Sequence, residues 1–193
     1  PTCGPSRAGL VTGRYQTSFG HEFNSPREEG IGLPLDEKTF GDRMKALGYK
    51  TGIVGKWHLG GDEDVGEEYH PLNRGFDYFY GFYGSMVHFF RSDHIFRGRE
   101  QVKDTRYLTD IIAEESCNFI DRNKAEPFFL YVAFNAVHTP LEAAEQDLAY
   151  IDSLPHFKSF LVNSNTANDT EKALDKARAR AAMLRGLDRG VGQ

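Results

Sequence analysis

The sequence predicts an α/β fold, a mostly parallel sheet flanked by helices, and three observations lead there. Two amphipathic stretches each run into a short apolar strand: Asp36 to Leu47 precedes Thr51 to Val54, and Asp104 to Asn123 precedes the run that starts at Phe128. That helix, strand, helix, strand order is the pattern of a parallel sheet covered by helices. The second strand, Phe128-Phe129-Leu130-Tyr131-Val132-Ala133-Phe134, is almost continuously apolar and rich in aromatic and β-branched residues, as expected when both faces are covered. Polar residues able to do chemistry follow each strand: Lys56 and His58 after the first, His138 after the second. Ligands of open α/β sheets gather at such strand ends.

Each element has its own signal. Ser6 to about Leu10 reads as a helix behind Pro5, and its amino end would present Cys3 and free backbone N–H groups towards an anion. In Asp36 to Leu47, Phe40, Met44 and Leu47 fall at helical spacing and Gly48 is the stop. In Asp104 to Asn123 the periodic residues are Tyr107, Leu108, Ile111, Ile112, Phe119 and Ile120. The aromatic and glycine-rich run Gly75 to Ser85 could cap one edge of the core. Ala143 to Tyr150 is a further helix, Asn163 to Thr170 a polar loop, and Glu171 to Leu187 a last helix. One domain, residues 1–193, accounts for all of this, and no repeat is evident.

Composition sets the class without naming a function. With 39% hydrophobic and 26% charged residues, 193 residues bury a full core. There is no apolar run of about eighteen residues to span a membrane. A net charge of −5 argues against general nucleic-acid binding, yet leaves room for a small cationic pocket. Cys3 and Cys117 could pair as one disulfide by count alone. Standing alone, Cys3 also fits a small buried thiol. The histidines His21, His88 and His94, with Glu22 and Asn24, lie in loops that could face a substrate.

Four segments carry a family resemblance. Cys3-Gly4-Pro5-Ser6-Arg7, followed by Thr12-Gly13, resembles the sulfatase signature Cys-x-Pro-Ser-Arg-x-x-x-x-Thr-Gly. Gly48-Tyr49-Lys50-Thr51-Gly52-Ile53-Val54-Gly55-Lys56-Trp57-His58-Leu59-Gly60 resembles the second signature of that family. Gly75-Phe76-Asp77 with Phe79 and Gly81, and the Phe128 to Pro140 strand end, add to it. The resemblance implies the alkaline phosphatase superfold and a sulfuric ester hydrolase of arylsulfatase type acting on a sulfated carbohydrate or aryl sulfate. It further implies that the chain is a piece of the amino-terminal catalytic domain. The opening on Pro1 without Met, and a chain that stops within its last helix, agree with that expectation.

The same resemblance implies roles. A maturation enzyme would oxidise Cys3 to Cα-formylglycine, so Cys3 would form no disulfide. Its hydrate would be the nucleophile and one ligand of a divalent cation, calcium, whose other ligands would be aspartates and an asparagine outside this chain. Arg7 would stabilise the ionised hydroxyl, Lys56 would bridge nucleophile and sulfate, His138 would protonate the leaving alcohol, and His58 would take the proton that expels sulfate. Ser85 would touch the sulfate region. A periplasmic, secreted or lysosomal setting follows from the family. Two alternatives stay open: a phosphatase or phosphonate hydrolase of the same superfold, and a silent fragment that binds sulfated glycans without turnover.

Overall fold

A computed structural model describes residues 2–24, 31–60, 66–84, 87–91, 94–155, 157 and 170–193. The polar loop expected at Asn163 to Thr170 and the candidate Ser85 lie outside the described residues, Thr170 excepted. Among the described residues, besides short 3-10 turns, ten α-helices and β-strands follow in order: α1 (Cys3–Thr12), α2 (Phe40–Ala46), β1 (Lys50–Lys56), β2 (Tyr78–Phe82), β3 (Ile95–Arg97), β4 (Glu100–Val102), α3 (Leu108–Asn123), β5 (Phe128–Ala133), α4 (Glu145–Ser153) and α5 (Thr170–Val191).

Local chemistry sets the starts of α2 and α3 later than hydrophobic periodicity suggests, whereas α1 starts earlier than expected, at Cys3 rather than Ser6. α2 begins at Phe40 rather than Asp36 because Thr39 and Asp42 form a capping box, with Asp42 N donating to Thr39 Oγ1 (3.1 Å) and Thr39 N donating to Asp42 Oδ2 (2.9 Å). α3 begins at Leu108 rather than Asp104, whose carboxylate instead accepts from the Arg106 backbone (3.0 Å) and holds a turn ahead of the helix. α1 ends where Gly13 takes a left-handed φ of 69°, with its N–H returned to Gly9 O.

The sheet runs β4-β3-β2-β1-β5. β1 pairs in parallel with both β2 and β5, and this trio is the parallel core the sequence predicts. β3 and β4 extend it as an antiparallel hairpin beside β2, so the whole sheet is mixed. The run expected to cap an edge is therefore an inner strand, Tyr78–Phe82, between β1 and the hairpin. Two layers cover the faces. Ala8 and Val11 of α1 with Phe40 of α2 pack on Ile53, Phe79, Phe129 and Tyr131. Leu108, Ile111 and Ile112 of α3 with Met183 of α5 pack on Val54, Tyr80, Phe82, Leu130 and Val132. Alternation along each strand sorts these side chains to opposite faces. Each fully buried Ile, Val or Phe contributes on the order of 1.5–3 kcal/mol to the core.

Two glycines shape the end of the sheet. Gly55 and Gly81 are register partners with φ of 116° and 155°. A Cβ on Gly55 would lie 2.1 Å from Ala133 O, and one on Gly81 would lie 1.8 Å from Gly55 O. Only glycine allows the three parallel strands to approach this closely, one residue before Lys56.

Candidate active site at the carboxyl end of the central strand

The strand end and the start of α1 meet at Lys56 and Cys3. Lys56 is the last residue of β1 and only 1% exposed. Burial lowers its pKa to about 8; the neighbouring Cys3, which shares a hydrogen bond with it, opposes that shift, and Arg7 adds to it. Lys56 therefore remains mostly cationic at neutral pH. Arg7 sits one turn after Cys3 on the same face of α1. Its Nη1 donates to Lys56 O (2.8 Å) and Tyr131 Oη (3.2 Å), which ties α1 to β1 and β5.

His58 reaches the same place by a route that the sequence does not predict. An extended Lys56-Trp57-His58 segment would put residues 56 and 58 on one face, but His58 has a φ of 58°. It is the one non-glycine residue with positive φ among the described residues, a conformation held against its intrinsic preference. The surrounding bonds hold it: Trp57 N donates to Phe82 O (2.9 Å), His58 N to Tyr83 O (3.0 Å), and Trp57 Nε1 to Tyr69 O (3.0 Å). Burial first, then the charges of Lys56, Arg7, His138 and His21, push the His58 pKa down to about 3. The ring is thus a neutral proton acceptor at pH 7, and its buried Nδ1 has no partner among the described residues.

His138 follows β5 on a turn closed by its own N–H donating to Asn135 O (2.9 Å). Its Nδ1 lies 2.6 Å from Thr139 O. A carbonyl can only accept, so Nδ1 carries a proton and Nε2 is the atom left for exchange with a bound molecule. The influence of His138 on His58 places it in the same cluster. Cys3, Arg7, Lys56, His58 and His138 thus come together from α1, the end of β1 and the loop after β5.

The remaining expected positions divide. His21 is buried beside the cluster, and Asn24 Oδ1 accepts from Gly4 N (2.8 Å). His88 pairs with Glu142 (3.0 Å), and His94 is exposed. Cys3 and Cys117 are both free thiols. Sequence reading missed Tyr131, although strand alternation places it on the α1 face with Phe129. It also missed Asn135, buried with both side-chain polar atoms lacking a partner among the described residues. Nothing in the sequence marks that asparagine.

The described residues do not make a calcium site. No three His, Cys, Asp or Glu side chains among them converge on one point. Cys3 lies instead beside the Lys56 ammonium, which is itself close to the Arg7 guanidinium, whereas Ca²⁺ takes six to eight oxygens.

The described residues also contain no helix long and apolar enough to cross a membrane. A family model described as Sulfatase matches residues 1–193. The uncharacterized sulfatase YdeN of Escherichia coli (strain K12) is 34% identical over 187 residues, which cover 86% of this chain and 32% of that protein. N-acetylgalactosamine-6-sulfatase of Sus scrofa is 35% identical over 173 residues, covering 75% of this chain and 32% of that one. The chain thus spans about a third of the length of these curated relatives. The crystal structure of Ps i-CgsB superposes with a TM-score of 0.80 at 34% identity, over 98% of this chain and 43% of that one. A parallel core with its reactive side chains at the strand ends, and a family match along its whole length, agree on one conclusion: the chain belongs to the sulfatase family.

Proposed function

We propose that this chain carries the nucleophile and its cationic surround in a hydrolase that removes sulfate from a sulfated carbohydrate, with Cys3 converted to Cα-formylglycine by a maturation enzyme. The observation that supports this most is the grouping of Arg7 and buried Lys56 around residue 3, beside an imidazole kept neutral at pH 7. A protein of net charge −5 that concentrates cations at one strand end suits a small anion at that point. A carbohydrate substrate is supported by two relatives: one is named for N-acetylgalactosamine 6-sulfate, and Ps i-CgsB has been solved with k-i-k-neocarrahexaose. Carbohydrate sulfates of this kind suit a periplasmic, secreted or lysosomal setting.

The aldehyde, when present and hydrated, supplies two hydroxyls on one carbon: one to attack sulfur, one whose proton loss later releases sulfate. Arg7 and Lys56 stabilise negative charge where the attack occurs, because their charges are held in a poorly solvated place. His138 Nε2 delivers a proton to the departing alcohol oxygen. His58, neutral at pH 7, accepts the hydroxyl proton in the second half of the reaction. The sum is one sulfate monoester anion and one water giving one alcohol, one sulfate dianion and one proton. No step here runs through calcium, whose other ligands are expected outside this chain; among the described residues no three His, Cys, Asp or Glu side chains could hold it.

Mass spectrometry of residue 3 and parallel assays with an aryl sulfate and an aryl phosphate test the reading. Formylglycine with a preference for sulfate is expected; an unmodified cysteine, or phosphate preference, rejects it. In Cys3→Ser the second hydroxyl is missing, so at most one turnover is expected before the sulfated enzyme accumulates, and sustained turnover rejects the mechanism. A second reading is glycan binding by this chain without turnover. Retained glycan binding with neither formylglycine nor bound metal would select it.

A further inference from the structure

The loop after α1 folds back over the one peptide that aims residue 3. Asn24 lies twenty residues from Gly4 in sequence, yet its Oδ1 accepts from Gly4 N at 2.8 Å. That N–H belongs to the first turn of α1, where no backbone carbonyl is available to it. Thr2, the residue in the usual capping position, makes no side-chain bond to the helix, so the cap arrives from the distant loop instead. His21 completes the cover. It is 6% exposed, its N–H donates to Gln16 O (2.9 Å), and its Nε2 would lie 3.5 Å from a Cβ built on Gly4. The same built Cβ would lie 3.1 Å from Asn24 Oδ1, so the pair fits closely over a residue without a side chain. Burial lowers the His21 pKa, which keeps a further cation out of a cluster that already holds Arg7 and Lys56.

We propose that Asn24, packed beside His21, is a positioning residue for Cys3. It fixes the Cys3–Gly4 peptide so that the residue 3 side chain keeps its bond to Lys56. This rests on the sulfatase reading above for its catalytic consequence, but not for its geometric one. Asn24 touches neither nucleophile nor substrate in this role; it acts through Gly4. The physical basis is that a nucleophile displaced by about 1 Å can lose on the order of 10²-fold in rate, while substrate binding is set elsewhere.

Two measurements on Asn24→Ala and Asn24→Asp decide it. The first is kcat and KM for an aryl sulfate, each normalised to the formylglycine content of residue 3. Asn24→Ala is expected to lower kcat by about tenfold or more with KM within about twofold, and Asn24→Asp, which keeps the acceptor oxygen, is expected to restore most of it. The second is the rate at which iodoacetamide alkylates unconverted Cys3, with Cys117 in α3 as the internal reference. Asn24→Ala is expected to speed Cys3 by severalfold and leave Cys117 unchanged. If both cysteines speed up together, Asn24 serves global stability only and the proposal is overturned. It is likewise overturned if neither kcat nor the ratio of the two rates changes. A selective change at Cys3 in a protein that cleaves no sulfate ester upholds the positioning role and rejects the sulfatase reading.

Discussion

Arg97 and Arg7 both reach across the same sheet, and they end in opposite surroundings. Arg97 makes a two-pronged pair with Glu115, both bonds 2.8 Å, and Arg122 and Tyr78 Oη converge on the same buried carboxylate. Arg97 also lies 4.7 Å over the Tyr80 ring, and its pKa is raised, chiefly by the Glu115 bond. Arg7 instead gives its hydrogen bonds to two neutral oxygens, of Lys56 and Tyr131, next to a buried lysine whose pKa is lowered. Each cation of the first cluster has its anion built in, as a structural cluster requires. The second cluster gathers positive charge beside Cys3, and an incoming anion would complete it. On the proposed function, the contrast separates a part of the molecule that stabilises the fold from a part that carries an energetic burden for chemistry.

The largest effect expected from breaking this contrast is at Lys56. Lys56→Met should lower kcat/KM for a sulfate ester on the order of 10²–10³-fold, the scale of losing one donor to developing charge. It should leave the thermal midpoint unchanged or higher, because burial works against the ammonium that the substitution removes. A collapse of the midpoint would place Lys56 with the structural cluster instead. The converse holds for Glu115→Ala. Two guanidinium groups and a phenol lose their shared acceptor, and because both arginines are about half exposed the loss should be moderate, about 2 kcal/mol by urea unfolding. The kcat per folded molecule should stay at its original value.

The pH dependence of stability should distinguish the two regions at a smaller scale. His58 is held at about 3 in the fold against 6.5 when free, so the unfolded chain binds a proton in that window that the fold refuses. Stability should therefore fall as pH drops from 6.5 towards 3, and His58→Gln should flatten that slope. At Glu115, burial raises the pKa, but the bonds from Arg97 and Tyr78 outweigh it and the net shift is downward from 4.5. Its contribution is present above 4.5 and lost as pH falls through the lowered value, so Glu115→Gln should flatten only the more acidic part. Urea midpoints near neutrality, near pH 5 and below pH 4 separate the two slopes; a single common slope would merge the clusters.

Local pattern was enough for the parallel core and for the positions of the reactive side chains. The runs at Thr51 and Phe128 are β1 and β5, and Lys56 and His138 stand at or just after their ends, because apolar continuity and the break that follows it are sequence properties. Periodicity alone misplaced the starts of α2 and α3, where Thr39, Asp42 and Asp104 bind backbone groups and override the apolar spacing. The β3–β4 hairpin was not legible, since two strands of three residues carry too little alternation to stand out.

By itself, then, the sequence determined the family signature around Cys3, the helix-to-strand order and the residue types able to handle a sulfate. Those depend on neighbours along the chain. Only the tertiary structure decided that His58 turns left-handed to meet Lys56, that Tyr131 receives Arg7, and that Asn24 reaches back to Gly4. These contacts join residues up to 124 positions apart, and folding must bring the segments together before any of them can form.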